Sequence, residues 1–207
     1  METKNKMKAL IFDPYLDTFG GGERYILGVA QALIKNGYSV FFSWPDDNFL
    51  QKTKSRFGIS LNGITIDPES YDLFRKPGGL IRKYFLTKKY DLIFWVSDGS
   101  LPFLFSKNNL VHFQVPFIKD PESNPLIKLL KVSLINKFIY NSEFTRKVLE
   151  NHFPKNKSYT LYPPIDVDSF SKKFVVKSKT ILSVGRFDSP SHPKRQDLLI
   201  ESFKLFS

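Results

Sequence analysis

The sequence predicts an α/β fold in which a doubly wound, Rossmann-like parallel sheet is followed by a truncated second α/β domain. Three observations support this prediction. Short apolar runs alternate with amphipathic helical segments from Lys8 to Leu161, three consecutive glycines join the first run to the first helix, and the proline-rich stretch Tyr162–Pro164 precedes one more strand and helix. Alternating strands and helices are typical of a parallel sheet that is covered by helices on both faces.

The first βαβ unit is the clearest part of the pattern. Lys8–Asp13 is an apolar run that stops at a proline, as a buried parallel strand does. Apolar residues then recur at helical spacing from Glu23 until Asn36-Gly37, which ends the helix. Tyr38–Trp44 is the second strand, and the crossover between the two parallel strands is expected to be right-handed.

The remaining elements follow the same alternation and complete the first domain. In chain order they are a helix over Phe49–Phe57, a strand over Gly63–Ile66, helical spacing around Leu80–Phe85, strands over Asp91–Val96 and Asn109–Phe113, a helix over Pro125–Ile135, a strand over Lys137–Asn141, a helix over Glu143–His152 capped by Ser142, and a strand over Ser158–Leu161.

We therefore assign residues 1–162 to a first domain, 163–178 to a linker and 179–207 to the start of a second domain. In this last part Thr180–Val184 is predicted as a buried strand and Gln196–Phe206 as a helix. A single strand and helix cannot bury a core of their own, so we expect the second domain to be incomplete in this chain.

The charge of the chain favours anionic partners. Its 207 residues include 31 lysines and arginines against 20 acids, a formal net charge of +11. Nucleotide phosphates, acidic membrane surfaces and nucleic acid are all consistent with this balance. The basic residues are dispersed and no nucleic-acid recognition motif is present, so nucleic acid is not expected as a partner.

Composition also limits the compartment and the metal chemistry. The chain has no cysteine, which excludes a disulfide framework and cysteine-based metal sites, and it shows no other metal-ligand pattern. We expect neither a metal nor a cofactor. The polar start leads straight into a strand and no run is long enough to span a membrane, so a cytoplasmic protein is expected.

Gly20, Gly21 and Gly22 form the most distinctive local feature. Glycine tolerates positive φ and lets a ligand approach the backbone, and the free amides and partial positive charge at a helix start can hold a phosphate. These glycines are therefore predicted to cradle an anion. The alternative is a tight strand–helix connection without a ligand, because neither a dinucleotide fingerprint nor a Walker lysine is present.

Two further groups of residues have chemical potential. His112 ends an apolar strand, where ligands gather in doubly wound sheets, and it could bond a substrate hydroxyl or transfer a proton; the alternative is a core histidine satisfied by a backbone carbonyl. Arg186 follows a strand and a glycine, and Lys194 and Arg195 precede a helix. Such bases can hold a diphosphate at a helix start, although basic residues near a strand end are more often solvated.

A basic, apolar segment lies in the middle of the first domain. Six basic residues and no acid occur between Arg75 and Lys89. Arg82, Lys83, Tyr84 and Phe85 are the residues that we predict to face a membrane, since apolar and cationic residues together suit an anionic bilayer surface. The alternative is a solvated helix whose apolar side joins the core.

Five motifs in order resemble the retaining nucleotide-sugar glycosyltransferases of family GT4, which have the GT-B fold. They are GGGER, VHFQVP, YNSEFTRKVL, LYPPIDVDSF and ILSVGRFDSPSHPKRQDLLIESFKLF. The resemblance covers nearly the whole chain, which is similar to the acceptor-side domain of that family, its linker and the first strand and helix of the donor-side domain.

The resemblance implies a role for each candidate residue. It places Gly20 and Gly21, supported by Gly22 and Glu23, at the diphosphate of a UDP- or GDP-linked sugar. It places His112 at the transferred sugar as a catalytic residue, and Arg186 and Lys194 at the donor phosphates. The segment between Arg186 and Lys194 departs from the family pattern, so Arg195 is an alternative partner for the phosphates.

The resemblance also implies a function. The implied reaction is transfer of a sugar, with retention, to a lipid-linked or polysaccharide acceptor, by an enzyme associated peripherally with the inner face of the membrane. The paired glutamates of the family's donor-side domain do not occur in this chain, so we expect the chain alone to be inactive. Alternatives are a sugar-nucleotide epimerase of similar shape and a non-catalytic nucleotide-binding or anion-binding module.

Overall fold

The computed structural model describes residues 6–76, 79–117, 122–165, 167, 178–184 and 195–205. The chain divides into two compact units, Met1–Ile165 and Asp166–Ser207. Within the described residues, all the strands lie in the first unit, and the second unit contains a single helix.

The first unit alternates strands and helices. Its strands are β1 (Lys8–Phe12), β2 (Ser39–Ser43), β3 (Thr65–Ile66), β4 (Leu92–Val96), β5 (Asn108–Phe113), β6 (Lys137–Tyr140) and β7 (Ser158–Thr160). Its helices are α1 (Gly21–Lys35), α2 (Asn48–Phe57), α3 (Pro68–Arg75), α4 (Leu80–Thr87), α5 (Pro125–Leu134) and α6 (Glu143–Leu149). Helix α7 (Gln196–Lys204) belongs to the second unit.

The strands form one parallel sheet in the order β3-β2-β1-β4-β5-β6-β7. The order reverses between β1 and β4, which pair with Phe12 opposite Trp95. In open parallel sheets, ligands bind at the carboxyl edge where such a reversal opens a crevice between neighbouring connections. The predicted doubly wound α/β fold is thereby confirmed.

Two apolar layers cover the sheet. One layer packs α1 and α2 against side chains such as Ile11, Phe94 and Ile139. The other layer packs side chains of α3 to α6 against the opposite face, around Phe113 and Phe138. The apolar runs in the sequence are continuous rather than alternating because the central strands are buried on both faces.

Capping residues define the helix starts. The side chain of Asn124 accepts hydrogen bonds from the amides of Leu126 and Ile127 at the start of α5. The side chain of Asp67 accepts a hydrogen bond from the Ser70 amide at the start of α3. Pro68, directly after Asp67, is the first residue of this helix. This aspartate–proline pair is a helix-start signal, and it identifies a helix that the sequence prediction lacks.

The predicted buried strand over Thr180–Val184 is not present. The segment has no strand partner in the described part of the chain, and Ile181, Leu182 and Val184 are 64%, 80% and 85% exposed. A strand is stabilised by pairing its backbone groups with neighbours, and no neighbour is available within the described residues of the second unit. Its apolar sequence is therefore solvent-exposed here rather than buried.

Candidate functional site

The carboxyl edge of the sheet carries a row of polar residues. Asp13, Gln114 and Asn141 directly follow β1, β5 and β6. Buried polar atoms without a hydrogen-bond partner also collect near this edge within the described residues: Asp13 Oδ2, Ser43 Oγ, Trp95 Nε1, both ring nitrogens of His112 and Gln114 Nε2. Buried polar atoms are normally paired, so this edge has unused capacity to bind a polar ligand.

The glycine turn opens helix α1 at this edge. Gly20 is the N-cap residue and Arg24 donates the first helical hydrogen bond to its carbonyl (3.2 Å). The amides of the preceding helical residues, Gly21, Gly22 and Glu23, have no acceptor within the helix, as at any helix start. The Glu23 carboxylate accepts a hydrogen bond from the Gly20 amide and so fixes the turn. Free amides at the positive end of α1 can hold an anion.

The glycines of this turn do not adopt the positive φ angles that the sequence analysis suggested for them. The helix begins at Gly21, not at Glu23, and none of the three glycines has a positive φ. The left-handed residue in this turn is Phe19, with φ at 51°. The glycines are therefore not required by their backbone angles, and their lack of a side chain is what matters.

Gly22 and Gly21 use that lack of a side chain differently. A Cβ on Gly22 would lie 2.2 Å from Gln114 Oε1, so this glycine makes room for the glutamine at the end of β5. Asn141 holds the same glutamine in place by donating its side-chain amide to the Gln114 carbonyl (2.6 Å). A Cβ on Gly21 would meet no atom within 4 Å. The space at Gly21 is open to a ligand, whereas the space at Gly22 is filled.

His112 is a fully buried residue on the α1 side of the sheet. Its ring stacks on Tyr25 with 4.5 Å between centroids and 4° between planes, and Phe94 lies 5.5 Å away. Tyr25 is itself held by a hydrogen bond from its hydroxyl to the Leu161 carbonyl (3.1 Å). A sugar hydroxyl reaches this ring only after a neighbouring side chain gives way.

The protonation state of His112 follows from its burial. Burial lowers the pKa of His112 to about 4, and the nearby backbone of Ile139 offsets only part of this effect. Neither ring nitrogen forms a hydrogen bond of normal geometry, and the Ile139 backbone is the polar group that acts on the ring. At neutral pH the ring is uncharged, with one nitrogen able to donate a hydrogen bond and the other able to accept one.

Asp13 is a further candidate site residue that the sequence prediction does not include. It is 2% exposed, and its Oδ1 accepts a hydrogen bond from the Tyr15 amide (3.0 Å). Burial raises the pKa of Asp13 to about 7 against the effect of that hydrogen bond, and the charges of Glu23 and Asp17 raise it further. The sequence signal is an acidic residue directly after a central strand, a pattern that by itself predicts only the end of that strand.

A surface cavity of about 480 Å³ lies next to the glycine turn. Tyr15, Phe19, Trp44 and Tyr71 supply aromatic walls, and Lys52 and Arg75 supply cations. Lys52 lies over the Phe19 ring (5.9 Å) and Arg75 over the Tyr71 ring (4.8 Å). Aromatic walls with a few nearby polar groups are typical of small-molecule sites.

The predicted phosphate-binding residues of the second unit are only partly visible. Arg186 and Lys194 lie outside the described residues. Arg195 is described; it adopts φ of 52° before α7 and pairs with Asp197 at 2.9 Å. Its guanidinium is therefore already engaged with a carboxylate.

The remaining predicted residues belong to α4. Of the four residues predicted to face a membrane, Arg82, Tyr84 and Phe85 are exposed and Lys83 is half-buried. The neighbouring Leu80 and Ile81 are also exposed, whereas Leu86 is buried and joins the core. No helix in the described residues is both long and apolar enough to cross a membrane.

Metal-ligating side chains do not cluster in the part of the chain that the structure describes: no group of three histidine or acidic residues there has the arrangement of a metal site.

The fold defines a Rossmann-like α/β protein with a doubly wound parallel sheet, and comparison with known proteins identifies its family. Residues 19–169 match Glycosyltransferase Family 4. The chain belongs to this family, because the match covers more than half of its length. No curated protein sequence matches the chain significantly.

A solved structure supports the same fold. The chain is similar to a glycosyltransferase from Rickettsia africae ESF-5, with a TM-score of 0.52 and 14% sequence identity. The similarity covers 98% of this chain and 51% of the Rickettsia chain. This chain therefore spans about half the length of that structure, and the similarity extends through both of its units.

Proposed function

We propose that the protein is part of a retaining glycosyltransferase that moves a hexose from a UDP- or GDP-linked sugar to a lipid-linked or polysaccharide acceptor. The open end of α1 is the observation that carries this proposal. Its free amides lie at the switch point of the sheet, beside the uncommitted polar atoms of Asp13, His112 and Gln114. The departing nucleoside diphosphate develops negative charge, which preorganised amides stabilise.

The donor and acceptor would occupy different parts of the edge. In this proposal Gly20 and Gly21 face the donor diphosphate, Gly22 and Glu23 shape the turn, and His112 contacts the transferred sugar. Arg186 and Lys194, with Arg195 as the alternative, hold the donor phosphates from the second domain. The aromatic cavity lined by Tyr15, Trp44 and Tyr71 suits an acceptor sugar. No metal and no cofactor is needed in this scheme.

The proposed location is the cytoplasm, with peripheral association at the inner face of the membrane. The exposed apolar residues Tyr84 and Phe85, next to Arg82 and Lys83, support a contact with anionic lipid. In this proposal the enzyme binds its lipid-linked acceptor at that membrane surface.

The reaction itself is tested by following nucleoside diphosphate release. The full-length protein is incubated with UDP-glucose or GDP-mannose, with and without a membrane lipid extract. Release that depends on the extract, with a retained anomeric configuration by NMR, is the expected result. An epimerase would change the donor sugar without any acceptor, and a binding module would leave the donor intact.

Replacing Gly21 by alanine is expected to weaken binding of UDP or GDP about tenfold or more. The added methyl group meets no protein atom within 4 Å, so it obstructs only a ligand that approaches the backbone. Alanine in a helix is at least as stable as glycine, and the free energy of unfolding should not fall. Titration calorimetry on the full-length protein measures the binding, and urea denaturation measures the stability.

Gly22→Ala is the matched comparison, because its methyl group would collide with the Gln114 side chain instead. Displacement of this glutamine should be visible in the NMR signals of its side-chain amide. If Gly21→Ala binds the nucleotide as tightly as the unmodified protein, the diphosphate does not bind at this turn.

A further inference from the structure

Helix α5 exposes its apolar side chains and directs its lysines inward. Leu126, Leu129 and Leu130 are 66%, 65% and 52% exposed, and the helix has no buried residue. Their spacing places the three leucines on one face of the helix. A surface helix normally turns its apolar face to the core, so this orientation requires a different explanation.

The lysines of α5 explain why the helix is oriented with its leucines toward the solvent. Lys131 pairs with Glu122 at 2.5 Å, lies over the Phe103 ring at 5.2 Å, and its side chain is only 15% exposed. Lys128 lies over the Phe153 ring at 5.7 Å. These contacts fix the lysine side of α5 against the domain. The leucine side is thereby presented to the surroundings.

Helix α4 has the same property and lies in the same layer. Its residues Leu80, Ile81, Tyr84 and Phe85 are exposed, and Leu86 of α4 and Val132 of α5 belong to the apolar layer on the same face of the sheet. Tyr84 packs edge-on against Phe105 (5.2 Å) and Lys131 lies over Phe103 (5.2 Å), so both helices contact the short segment before β5. We call the seven exposed residues the α4–α5 surface: Leu80, Ile81, Tyr84, Phe85, Leu126, Leu129 and Leu130.

The charges around the α4–α5 surface indicate its occupant. No acid occurs between Arg75 and Lys89 or between Ser123 and Ser142. The exposed cations Arg82, Lys88 and Lys89 lie on or directly after α4, with Glu69 of α3 pairing with Lys89 at 3.6 Å. Apolar side chains beside an excess of cations complement an anionic lipid surface, because acyl chains accept the former and headgroups attract the latter.

We propose that α5 and α4 together dock the first unit on an anionic bilayer, with the α5 leucines entering the boundary between headgroups and acyl chains. This inference rests on the proposed membrane association and adds α5 as its main apolar contact. Both helices are short and would lie in the plane of the interface. The sequence directed attention to α4 because six cations and no acid occur between Arg75 and Lys89.

Vesicle flotation tests the proposal. The chain is mixed with phosphatidylcholine vesicles that contain phosphatidylserine, and with phosphatidylcholine vesicles alone. The chain should float with the anionic vesicles. For the triple variant Leu126→Gln, Leu129→Gln, Leu130→Gln, the partition coefficient onto these vesicles should be lower by about tenfold or more. Glutamine is a good helix former and the three positions are exposed, so circular dichroism and thermal unfolding should be unchanged.

Two control variants separate the contributions. Arg82→Gln with Lys88→Gln removes two charges and should reduce binding to anionic vesicles about tenfold or more, without affecting neutral ones. Leu198→Gln with Leu205→Gln removes two leucines that are exposed in the second unit, 45% and 86%, and should float like the unmodified chain.

Each other outcome would overturn the inference. If the chain floats and the α5 variant floats equally, α5 has no role, although membrane association through α4 would stand. If the chain does not float, the bilayer is not the occupant. If sedimentation shows a dimer that the α5 variant dissociates, the α4–α5 surface joins two copies of the chain instead. None of these results depends on sugar transfer, which the release of nucleoside diphosphate measures separately.

Discussion

Replacing His112 by phenylalanine is expected to lower the rate of sugar transfer about a hundredfold or more while donor binding stays nearly unchanged. Phenylalanine keeps a flat ring between Tyr25 and Phe94, so the packing of the site survives. Neither ring nitrogen forms a hydrogen bond of normal geometry, so replacing the imidazole removes at most its weak interaction with the Ile139 backbone. A lower kcat of the variant would therefore mean that the substrate has lost its contact with the His112 ring.

The measurement is kcat for the full-length protein, together with the Kd for UDP or GDP and the midpoint of thermal unfolding. His112→Ala serves as a contrast, since it opens a cavity next to Tyr25 and should lower stability. If His112→Phe transfers sugar at the normal rate, the histidine is a core residue and the catalytic assignment is wrong.

Asp13 and His112 are expected to have opposite and nearly cancelling effects on the pH dependence of stability. Asp13 has a pKa of about 7 in the fold against an ordinary 3.8, so its stabilising contribution is complete below the lower value and is lost as the pH rises toward the higher one. His112 has a pKa of about 4 in the fold against an ordinary 6.5, so it destabilises the fold as the pH falls between these values.

Single variants should separate the two effects. Between about pH 4 and 6.5 each group contributes a slope of about 1.4 kcal/mol per pH unit, with opposite signs. Asp13→Asn should gain stability relative to the unmodified chain as the pH rises, on the order of 3 kcal/mol across this window. His112→Phe should gain stability relative to the unmodified chain as the pH falls, by a similar amount. Each variant thus exposes the slope of the group that remains.

Urea denaturation at several pH values measures these differences. Asp46→Asn changes an exposed carboxyl and serves as the control for the loss of one carboxyl elsewhere in the unit. A pH-independent difference between Asp13→Asn and the unmodified chain would mean that Asp13 is ionised in the folded protein. Glu23 and Asp17 raise the pKa of Asp13, so changing either should move the midpoint of the effect downward.

The sequence predicted the parallel sheet because buried strands have a strong local signal. Runs such as Lys8–Asp13 and Asp91–Val96 are continuous and apolar, and the structure places both in the centre of the sheet. The helix over Pro68–Arg75 was missed because its apolar residues are few, although Asp67 and Pro68 mark its start. The exposed segment Thr180–Val184 was called buried because its composition cannot reveal whether neighbouring strands are available to it.

The candidate site was predicted only in part, because burial is not a property of a single position. His112 was identified from its place at a strand end, but its stacking on Tyr25 joins residues far apart in sequence. Asp13 is an ordinary acidic residue until the fold encloses it. Gln114 is recognised as part of the candidate site because its side chain fills the space that a side chain on Gly22 would need. The outward face of α5 depends on contacts of its lysines with Glu122 and Phe153.

The left-handed conformation of Phe19 shows that the turn before α1 is held by packing as well as by its three glycines. An aromatic residue at φ of 51° is strained by about 1–2 kcal/mol, so surrounding contacts must hold it there. The ring is 8% exposed and packs in the layer of α2, 6.5 Å from the Phe57 ring. Helix α2 therefore helps to fix the residue that precedes the start of α1. Substitutions in α2 that disturb the packing of Phe19 are expected to disturb the glycine turn as well.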